Sequence, residues 1–318
     1  MTTSTSFLAF LFPGQGSQAV GMGKELSDNY AVARRTFEEA DEALGYKLSQ
    51  VCFEGPEEKL KLTEITQPAI LTVSVAAWRL LQEKGLQPDF VAGHSLGEYS
   101  AHVAAGTLTF ADAVITVRNR GKYMQEAVPV GVGAMAAILG LPLDKVEEVA
   151  SDAAQGEVCQ AANINSPEQI VISGHARAVD RAIKLANERG AKKAVSLPVS
   201  APFHCALMQP AQDRLAADLN ALSFQNPSRP VVCNVDAEAV TSAVASRAAL
   251  IRQVTGAVKW EPSVRLLINK GVSLLIEVGP GKVLWGLMRQ IDRSKTCLTV
   301  GDEASLQKTL AQIAAMAA

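Results

Sequence analysis

The 318-residue sequence predicts an α/β protein with a parallel sheet that is covered by helices on both faces and carries a small inserted subdomain. Short apolar runs of strand length alternate with helical patterns, which is typical of a parallel sheet with crossover helices. After residue 128 the pattern changes to strand, helix, two adjacent strands, helix and strand, which indicates the insertion. A hydrophobic content of 48% and a formal net charge of -2 are ordinary for a globular chain.

The large domain is assigned to residues 1–128 and 199–318. Its predicted strands lie at residues 7–12, 88–92, 231–235 and 273–278. Its predicted helices lie at residues 30–44, 65–82, 110–128 and 301–317, with a further helical pattern after residue 97. Thr109 is the predicted N-cap of the helix over 110–128, because its hydroxyl can accept a hydrogen bond from a free amide of the first turn.

The inserted subdomain is assigned to residues 129–198. Its strands are predicted at residues 134–139, 158–165, 169–173 and 194–199, and its helices at 143–154 and 176–189. The order βαββαβ over about 70 residues is the signature of a ferredoxin-like fold. The sequence therefore predicts a ferredoxin-like subdomain within the larger domain.

A serine between glycines, Gly93-His94-Ser95-Leu96-Gly97, stands between a predicted strand and a predicted helix. A nucleophile elbow requires this context, because side chains at the glycine positions would crowd its strained turn. The turn exposes the serine hydroxyl, and the helix N-terminus beyond it favours negative charge nearby. Ser95 is therefore predicted to be a nucleophile.

A serine nucleophile needs a base, and the chain contains four histidines. His94 should point away from the serine, and His102 lies on a helix roughly 10 Å further along its axis. His175 is expected to cap a helix of the insertion or to face solvent. His204 lies in a proline-containing loop that re-enters the large domain, so by elimination it is the best candidate, with a packing role as the alternative. No acidic residue is recognisable as a third member of a triad, and a backbone carbonyl could orient the imidazole equally well.

The loop after the first strand, Pro13-Gly14-Gln15-Gly16-Ser17-Gln18-Ala19, has two interpretations. It fits the G-x-G-x-x-A fingerprint of nicotinamide and flavin enzymes. That class needs an acidic residue at the end of the next strand, whereas the acidic residues at the right distance belong to a helical pattern. The other interpretation is an oxyanion hole, in which an amide from an early loop joins the amide that follows the nucleophile. Gln15 and Leu96 are the two predicted donors.

Arg120 lies on an apolar stripe of the predicted helix over 110–128, between Val117 and Met124. A guanidinium on an apolar face needs an anion, because an unpaired buried charge is costly. Two interpretations stay open at this point: an internal salt bridge, or a clamp on a substrate carboxylate. Met124, one turn further along the stripe, is a candidate for contact with the same substrate.

Composition narrows the class of protein. The near-neutral charge gives no support for a nucleic acid or a membrane surface as partner. The N-terminal residues lack the basic start of a signal peptide, and the first apolar run is too short to span a bilayer. Five scattered cysteines without a CxxC spacing suggest neither a zinc site nor a disulfide framework. We expect a reduced, cytoplasmic protein without a metal site.

Six motifs spread along nearly the whole chain carry a family resemblance. They are Phe12-Pro13-Gly14-Gln15-Gly16-Ser17-Gln18, Gly93-His94-Ser95-Leu96-Gly97-Glu98-Tyr99, Arg120-Gly121-Lys122-Tyr123-Met124-Gln125, Asn163-Ile164-Asn165-Ser166-Pro167, Pro198-Val199-Ser200-Ala201-Pro202-Phe203-His204 and Glu277-Val278-Gly279-Pro280-Gly281. Together they resemble the malonyl-CoA:acyl carrier protein transacylases of bacterial fatty acid synthesis. The resemblance implies an α/β-hydrolase-like domain with a ferredoxin-like insertion, which agrees with the patterns above.

The resemblance also implies a reaction and the residues that perform it. Ser95 is implied as nucleophile and His204 as base, with the amides of Gln15 and Leu96 as the oxyanion hole. The implied reaction carries a malonyl group from malonyl-CoA, through a malonyl-serine, to the phosphopantetheine thiol of an acyl carrier protein, without a cofactor. The sequence leaves open whether polyketide carrier proteins are loaded as well.

Three further residues gain roles from the resemblance. Arg120 is implied to pair with the malonyl carboxylate. Gln253 stands ahead of the segment Val258-Lys259-Trp260, where the family has a glutamine that supports the histidine through its backbone carbonyl. Phe203, beside His204, is expected to crowd the substrate α-carbon and so to favour malonyl over methylmalonyl groups.

Carrier proteins of this pathway are acidic, so a basic docking face is expected. Six basic residues cluster in and after the second helix of the insertion: Arg177, Arg181, Lys184, Arg189, Lys192 and Lys193. A solvated helix face is the alternative explanation of this cluster. The protein is expected to be a monomer.

A serine esterase or thioesterase is the rival function, because it would use the same serine, histidine and oxyanion hole. Arg120 separates the two classes, since a hydrolase of neutral acyl groups has no use for a buried cation. A module that only binds a ligand would not need an exposed serine on an elbow.

Overall fold

The computed structural model describes residues 7–317 and contains two β-sheets. Its strands are β1 (Phe7–Phe12), β2 (Phe90–Gly93), β3 (Gly133–Leu139), β4 (Cys159–Ser166), β5 (Gln169–His175), β6 (Lys193–Ser196), β7 (Val231–Cys233), β8 (Glu238–Val240), β9 (Val272–Val278) and β10 (Thr296–Val300). Its helices are α1 (Lys24–Asn29), α2 (Ala31–Leu44), α3 (Leu48–Glu54), α4 (Glu57–Leu60), α5 (Thr63–Glu83), α6 (Gly97–Ala104), α7 (Phe110–Glu126), α8 (Leu143–Ala154), α9 (Ala176–Glu188), α10 (Gln209–Ala221), α11 (Ala243–Arg252), α12 (Trp260–Asn269), α13 (Val283–Ile291) and α14 (Glu303–Ala317). Residues 1–6, on which the expected lack of a signal peptide rests, lie outside the described residues.

The larger sheet has six strands in the order β10-β9-β1-β2-β7-β8. Strands β10, β9, β1, β2 and β7 run parallel, and the edge strand β8 pairs antiparallel with β7. Along β1, Phe10 and Phe12 pack with α5 on one face, whereas Ala9 and Leu11 pack with α12 and α13 on the other. All four side chains are fully buried, as a central strand of a parallel sheet requires. The predicted parallel sheet with two covered faces is confirmed.

The smaller sheet has four antiparallel strands in the order β4-β5-β3-β6. Helices α8 and α9 pack together and cover one face of it. Their apolar stripes, which include Val146, Val149, Val179 and Ala182, are fully buried against β3 and β5. The order βαββαβ and this strand arrangement confirm the predicted ferredoxin-like fold.

The sequence does not predict nine elements of the large domain: α1, α3, α4, β8, β10, α10, α11, α12 and α13. Strand β10 is a half-buried edge strand of only five residues, two of which are threonines, so its sequence lacks a long continuous apolar run. Helices α12 and α13 contain Pro262 and Gly286, which weaken a helical pattern. They form because Trp260 and Leu284 bury their side chains against the sheet.

Two further findings concern the apolar length of the helices and the state of the cysteines. Within residues 7–317, no helix is both long and apolar enough to cross a membrane. All five cysteines are free thiols.

A main-chain bridge joins the smaller sheet to the larger domain at one edge of a cleft. Val258 donates to the Ala162 carbonyl at 2.8 Å and accepts from the Ile164 amide at 2.9 Å, so β4 is bonded to the segment before α12. The chain enters the smaller sheet from α7 and leaves it through the loop after β6. Helix α7 carries Arg120 and this loop carries His204, so both reach the cleft beside the end of β2.

Candidate active site

Ser95 lies at the turn between β2 and α6, in the elbow that the sequence predicts. Its φ of 53° is in the left-handed region that residues other than glycine rarely adopt. A Cβ atom on Gly93 would collide with the main chain of Gly97, and one on Gly97 would collide with the Phe12 carbonyl. The two glycines are thus needed because backbone segments approach each other closely under the turn.

His204 lies against the serine hydroxyl. Its Nε2 is 2.7 Å from Ser95 Oγ, and its Nδ1 is 2.9 Å from the main-chain oxygen of Gln253. A carbonyl can only accept, so Nδ1 carries the hydrogen and Nε2 is free to accept from the serine. Burial and the nearby charge of Arg120 lower the pKa of His204 to about 3. The imidazole is therefore neutral at pH 7 and can take a proton from Ser95.

Arg120, on α7, is 1% exposed and reaches the serine from the other side. Its Nη2 donates to Ser95 Oγ at 3.1 Å and to Gln253 Oε1 at 3.0 Å, and its Nη1 donates to Gln67 Oε1 at 2.8 Å. Its Nε atom has no partner, and among residues 7–317 no carboxylate forms an ion pair with the guanidinium. The internal salt bridge left open by the sequence is absent from this part of the chain.

Asn234, which follows β7, holds the turn from below. Its Oδ1 accepts from the Ser95 amide at 2.7 Å, and its Nδ2 donates to the Gly93 carbonyl at 2.7 Å. The side chain of Gln253 donates to the Ser95 carbonyl at 2.9 Å. Ser95 is therefore fixed through its amide, its carbonyl and its hydroxyl.

The site opens into a cleft of about 600 Å³ between the two sheets. Ser95, His204 and Arg120 line its floor together with Gln67 and His94. Its walls include three residues singled out from the sequence, Gln15, Met124 and Phe203. Polar side chains from the smaller sheet, Asn163, Asn165 and Gln169, complete it. The structure thus brings residues from five separate sequence motifs to one cleft.

The two amides predicted to form an oxyanion hole belong to Leu96, the residue after Ser95, and to Gln15 in the loop after β1. Leu96 is the N-cap residue immediately before α6 and has a buried side chain, and the side chain of Gln15 lines the cleft. Among the described residues, neither amide donates a hydrogen bond to another protein group. The strand that the dinucleotide interpretation needs does not follow this loop, since α1 to α5 separate β1 from β2.

The other three histidines have different surroundings. His94 Nε2 lies 2.8 Å from Asn165 Oδ1, and burial lowers the pKa of this imidazole. His175 Nδ1 accepts from the Val158 amide at 2.9 Å. His102 lies on α6, is fully buried and does not line the cleft.

Some residues of the site were missed by sequence reasoning. Gln67, Glu98, Asn165 and Asn234 contact Arg120, Gln253, His94 and Ser95, respectively. Glu98 and Asn165 stand inside motifs that carry the family resemblance, which is a signal that could have drawn attention to them. Gln67 and Asn234 stand in segments without a motif, so nothing local marks them.

One buried group bears on the expectation that no metal is bound. Glu98, His102 and Cys233 are all buried, and one potential ligand atom of each lies within 4.8 Å of the others. The group lies beneath the elbow and outside the cleft. Its connection to the site runs through Glu98, which accepts from Gln253 Nε2 at 2.8 Å.

An elbow serine bonded to a neutral histidine, two free amides and a buried cation define an enzyme class, the serine-dependent acyl-transfer enzymes. Residues 9–312 match the family described as acyl transferase domain, and the chain belongs to that family. The resemblance inferred from the motifs is thereby confirmed.

Close relatives share nearly the whole chain. It is 50% identical to the malonyl CoA-acyl carrier protein transacylase of Salmonella typhimurium, over 96% of this chain and 99% of the relative. The structure of an acyl carrier protein S-malonyltransferase from Vibrio cholerae matches with a TM-score of 0.94 at 51% identity, covering 96% of this chain and 100% of that one. A malonyl-transacylase in complex with a type II PKS acyl-carrier protein matches with a TM-score of 0.94 at 47% identity, covering 96% and 100%.

Proposed function

We propose that this protein transfers malonyl groups from malonyl-CoA to the phosphopantetheine thiol of an acyl carrier protein and so supplies extender units for fatty acid synthesis. The observation that carries the proposal is Arg120. It is a buried guanidinium 3.1 Å from the Ser95 hydroxyl that, within residues 7–317, has no carboxylate of the protein to pair with. An acyl group that ends in a carboxylate supplies the missing anion.

The first half-reaction forms a malonyl-serine. His204 Nε2 takes the proton of Ser95 as Oγ attacks the thioester carbon of malonyl-CoA. The amides of Leu96 and Gln15 stabilise the oxyanion, which is the largest effect expected in such sites. The carbon–sulfur bond then breaks, and the coenzyme A thiolate leaves with the proton that His204 returns.

The second half-reaction reverses these steps with a different thiol. The phosphopantetheine thiol of the carrier protein gives its proton to His204 and attacks the ester carbon of malonyl-Ser95. The oxyanion forms again in the same hole, and the carbon–oxygen bond to the serine breaks as Oγ regains its proton. The products are malonyl carrier protein and free enzyme, as ping-pong kinetics require.

Arg120 selects the acyl group. In the free enzyme, Nη2 donates to Ser95 Oγ, and acylation turns that oxygen into an ester oxygen, which is a weaker acceptor. The malonyl carboxylate then provides the acceptor for Nη2 and for the unpaired Nε. Gln67 holds Nη1 on the far side, so the guanidinium is oriented before the substrate arrives.

Two apolar side chains shape the space around the malonyl group. Phe203 and Met124 are buried and line the cleft beside His204 and Arg120. We propose that Phe203 restricts the space at the substrate α-carbon and that Met124 packs against the acyl chain. Both roles rest on their position in the cleft.

The hydrolase alternative fits the geometry less well. A serine esterase would share Ser95, His204 and the two amides. For a neutral acyl group, however, the buried charge of Arg120 would oppose binding, because the group offers no anion to offset the cost of burying that charge. No feature of the described residues favours the hydrolase.

The docking face for the carrier protein is proposed on the smaller sheet's helix α9 and the segment after it. Three of its six basic residues have acidic partners, since Arg181, Arg189 and Lys192 pair with Glu157, Asp152 and Glu168. Arg177, Lys184 and Lys193 are exposed and have no ion pair among the described residues. These three residues, together with Lys192 just before β6, form the proposed contact with an acidic carrier protein. The predicted oligomeric state is a monomer, which sedimentation would test. The predicted location is the cytoplasm.

The test is acyl-enzyme formation, followed by intact-protein mass, from malonyl-CoA and acetyl-CoA in wild type, Ser95→Ala and Arg120→Ala. A malonyl adduct is expected in wild type and none in Ser95→Ala. Arg120→Ala should shift the preference from malonyl towards acetyl. Free malonate released without carrier protein, or no adduct in wild type, would overturn the proposed function.

A further inference from the structure

Glu98 is a buried carboxylate that the proposed reaction does not use. It lies on α6, three residues beyond Ser95, and has no exposed surface. Its Oε2 accepts hydrogen bonds from the side-chain Nε2 of Gln253 at 2.8 Å and from the main-chain N–H of Asn234 at 2.9 Å. Both donors belong to residues that hold Ser95, so this carboxylate is bonded to the supports of the nucleophile.

The side-chain amide of Gln253 lies between a buried cation and a buried anion. Its Oε1 accepts from Arg120 Nη2 at 3.0 Å, and its Nε2 donates to Glu98. Hydrogen bonds to ionised groups are roughly twice as strong as those between neutral groups, and a chain of them strengthens each member. Burial lowers the pKa of Arg120, and Tyr99 and, to a smaller extent, the charge of Glu98 oppose that effect.

The opposite orientation of the amide would mismatch every neighbour. Its NH₂ group would face the N–H donors of Arg120. Its oxygen would face the carboxylate of Glu98 and the carbonyl of Ser95, which are acceptors. Glu98 is the only charged acceptor among the described residues bonded to Nε2, so it contributes most to fixing this orientation.

We infer that Glu98 is a positioning residue that acts through Gln253 to hold Arg120 where it binds the malonyl carboxylate. The inference deepens the proposed function and rests on it. Without the anion, the amide of Gln253 can rotate, and a rotated amide presents donors to a guanidinium that needs an acceptor. Arg120 then loses its orientation, which matters for malonyl groups and not for acetyl groups.

The other oxygen of Glu98 provides a matched control. Oε1 has no hydrogen-bond partner in the described residues, and the nearest imidazole nitrogen, His102 Nε2, is 3.9 Å away. His102 lies on the same helix, is equally buried, and contacts neither Gln253 nor Arg120. His102→Leu therefore disturbs the same helix and the neighbourhood of Oε1, and it leaves the hydrogen bonds that Oε2 accepts from Gln253 and Asn234 in place.

The experiment measures single-turnover acylation by malonyl-CoA and by acetyl-CoA, and takes the ratio of the two values of kcat/KM. Glu98→Gln keeps the shape and removes the charge, and it is expected to lower the malonyl-to-acetyl ratio at least tenfold. In Arg120→Ala, adding Glu98→Gln should cause no further fall, because the residue through which it acts is gone. His102→Leu should leave the ratio within about twofold of wild type.

The outcomes separate this inference from simpler explanations. Equal losses with both substrates would show that Glu98 only stabilises the fold, and an unchanged or raised ratio would show that it only screens Arg120. Each would overturn the inference. If Glu98→Gln does not fold, Glu98→Asp, which withdraws the carboxylate by one methylene group, must lower the ratio in the same direction. A wild type that forms no malonyl adduct would instead overturn the proposed function.

Discussion

The main-chain oxygen of Gln253 lies 2.9 Å from His204 Nδ1, at the position where a catalytic triad has its carboxylate. A carbonyl fixes the tautomer as a carboxylate does, but it carries no negative charge to stabilise the imidazolium. The charge with the largest effect on the pKa of the imidazole is the cation of Arg120. These surroundings therefore favour the neutral form of His204. The pH dependence of acylation should differ from that of an enzyme with a triad histidine.

The acid limb of acylation should lie well below the ordinary histidine pKa of 6.5. Burial and Arg120 lower the pKa of His204 to about 3, and the base works only when neutral, so activity is lost as pH falls through that lowered value. At pH 5 an unperturbed histidine would be only about 3% neutral. We expect kcat/KM for malonyl-CoA to stay near its maximum at pH 5, measured by single-turnover mass analysis between pH 4.5 and 8.

Arg120→Met gives the control for this pH profile, with acetyl-CoA as substrate. Removing the cation takes away one cause of the lowered pKa of His204, so the acid limb should move to higher pH. A wild-type limb centred near pH 6.5, or no movement in the variant, would contradict the assignment of His204 as a buried neutral base.

Gln67→Leu should weaken acylation by malonyl-CoA and leave acetyl-CoA almost unaffected. Leucine has a similar volume but cannot accept from Arg120 Nη1, so one buried charged donor loses its partner. The KM for malonyl-CoA should rise by about tenfold, since such a loss typically costs 1–3 kcal/mol. Ser74→Ala on the same helix removes a buried hydroxyl that has no hydrogen-bond partner within residues 7–317, and it should leave the KM for both substrates unchanged. A similar loss for both substrates would refute the role of Gln67.

Phe203→Ser should relax the choice between malonyl and methylmalonyl groups. The ring is buried in the cleft beside His204, and its removal opens space where an α-methyl group would lie. A methyl group in a tight pocket is worth roughly 10–200-fold in selectivity, so the preference for malonyl-CoA should fall by about tenfold or more. Competition between the two thioesters, followed by mass, measures it, and an unchanged preference would exclude Phe203 as the selecting residue.

Charge reversal on the proposed docking face should act on the carrier protein alone. Lys192→Glu with Lys193→Glu should raise the KM for the carrier protein severalfold and leave that for malonyl-CoA unchanged, because both residues are exposed and outside the cleft. Lys270→Glu with Lys308→Glu makes the same change of charge on exposed residues elsewhere. Equal effects of the two double variants, or equal effects on both substrates, would rule out this face.

The parts of the site that the sequence predicts are those marked by local pattern. The elbow around Ser95 needs glycines at fixed positions, and the loop of His204 needs its prolines, so both leave a trace in a few consecutive residues. Arg120 is marked by its charge on an apolar stripe, but spacing alone does not determine whether an acidic residue lies opposite.

The parts that the sequence does not predict depend on contacts between distant segments. Asn234 bonds to Ser95 across 139 positions, and Gln67 bonds to Arg120 across 53. Neither residue stands in a local pattern. A single side-chain amide can make these hydrogen bonds from any helix, strand or loop that passes close enough to Ser95 or Arg120. The support of His204 by Gln253 became visible only through the family resemblance, since a main-chain carbonyl leaves no trace in residue type.

The distance along the chain between Ser95 and His204 has a consequence for the order of events during folding. The two residues are 109 positions apart, and the whole smaller sheet lies between them in the sequence. Contacts of such separation close late, after local helices and hairpins have formed. A nascent chain that has made the elbow but not the loop after β6 therefore carries an ordinary alcohol, because its base is absent. With the proposed roles of Ser95 and His204, we expect reactivity towards thioesters only in the completed fold, so that unfinished chains are protected from acylation.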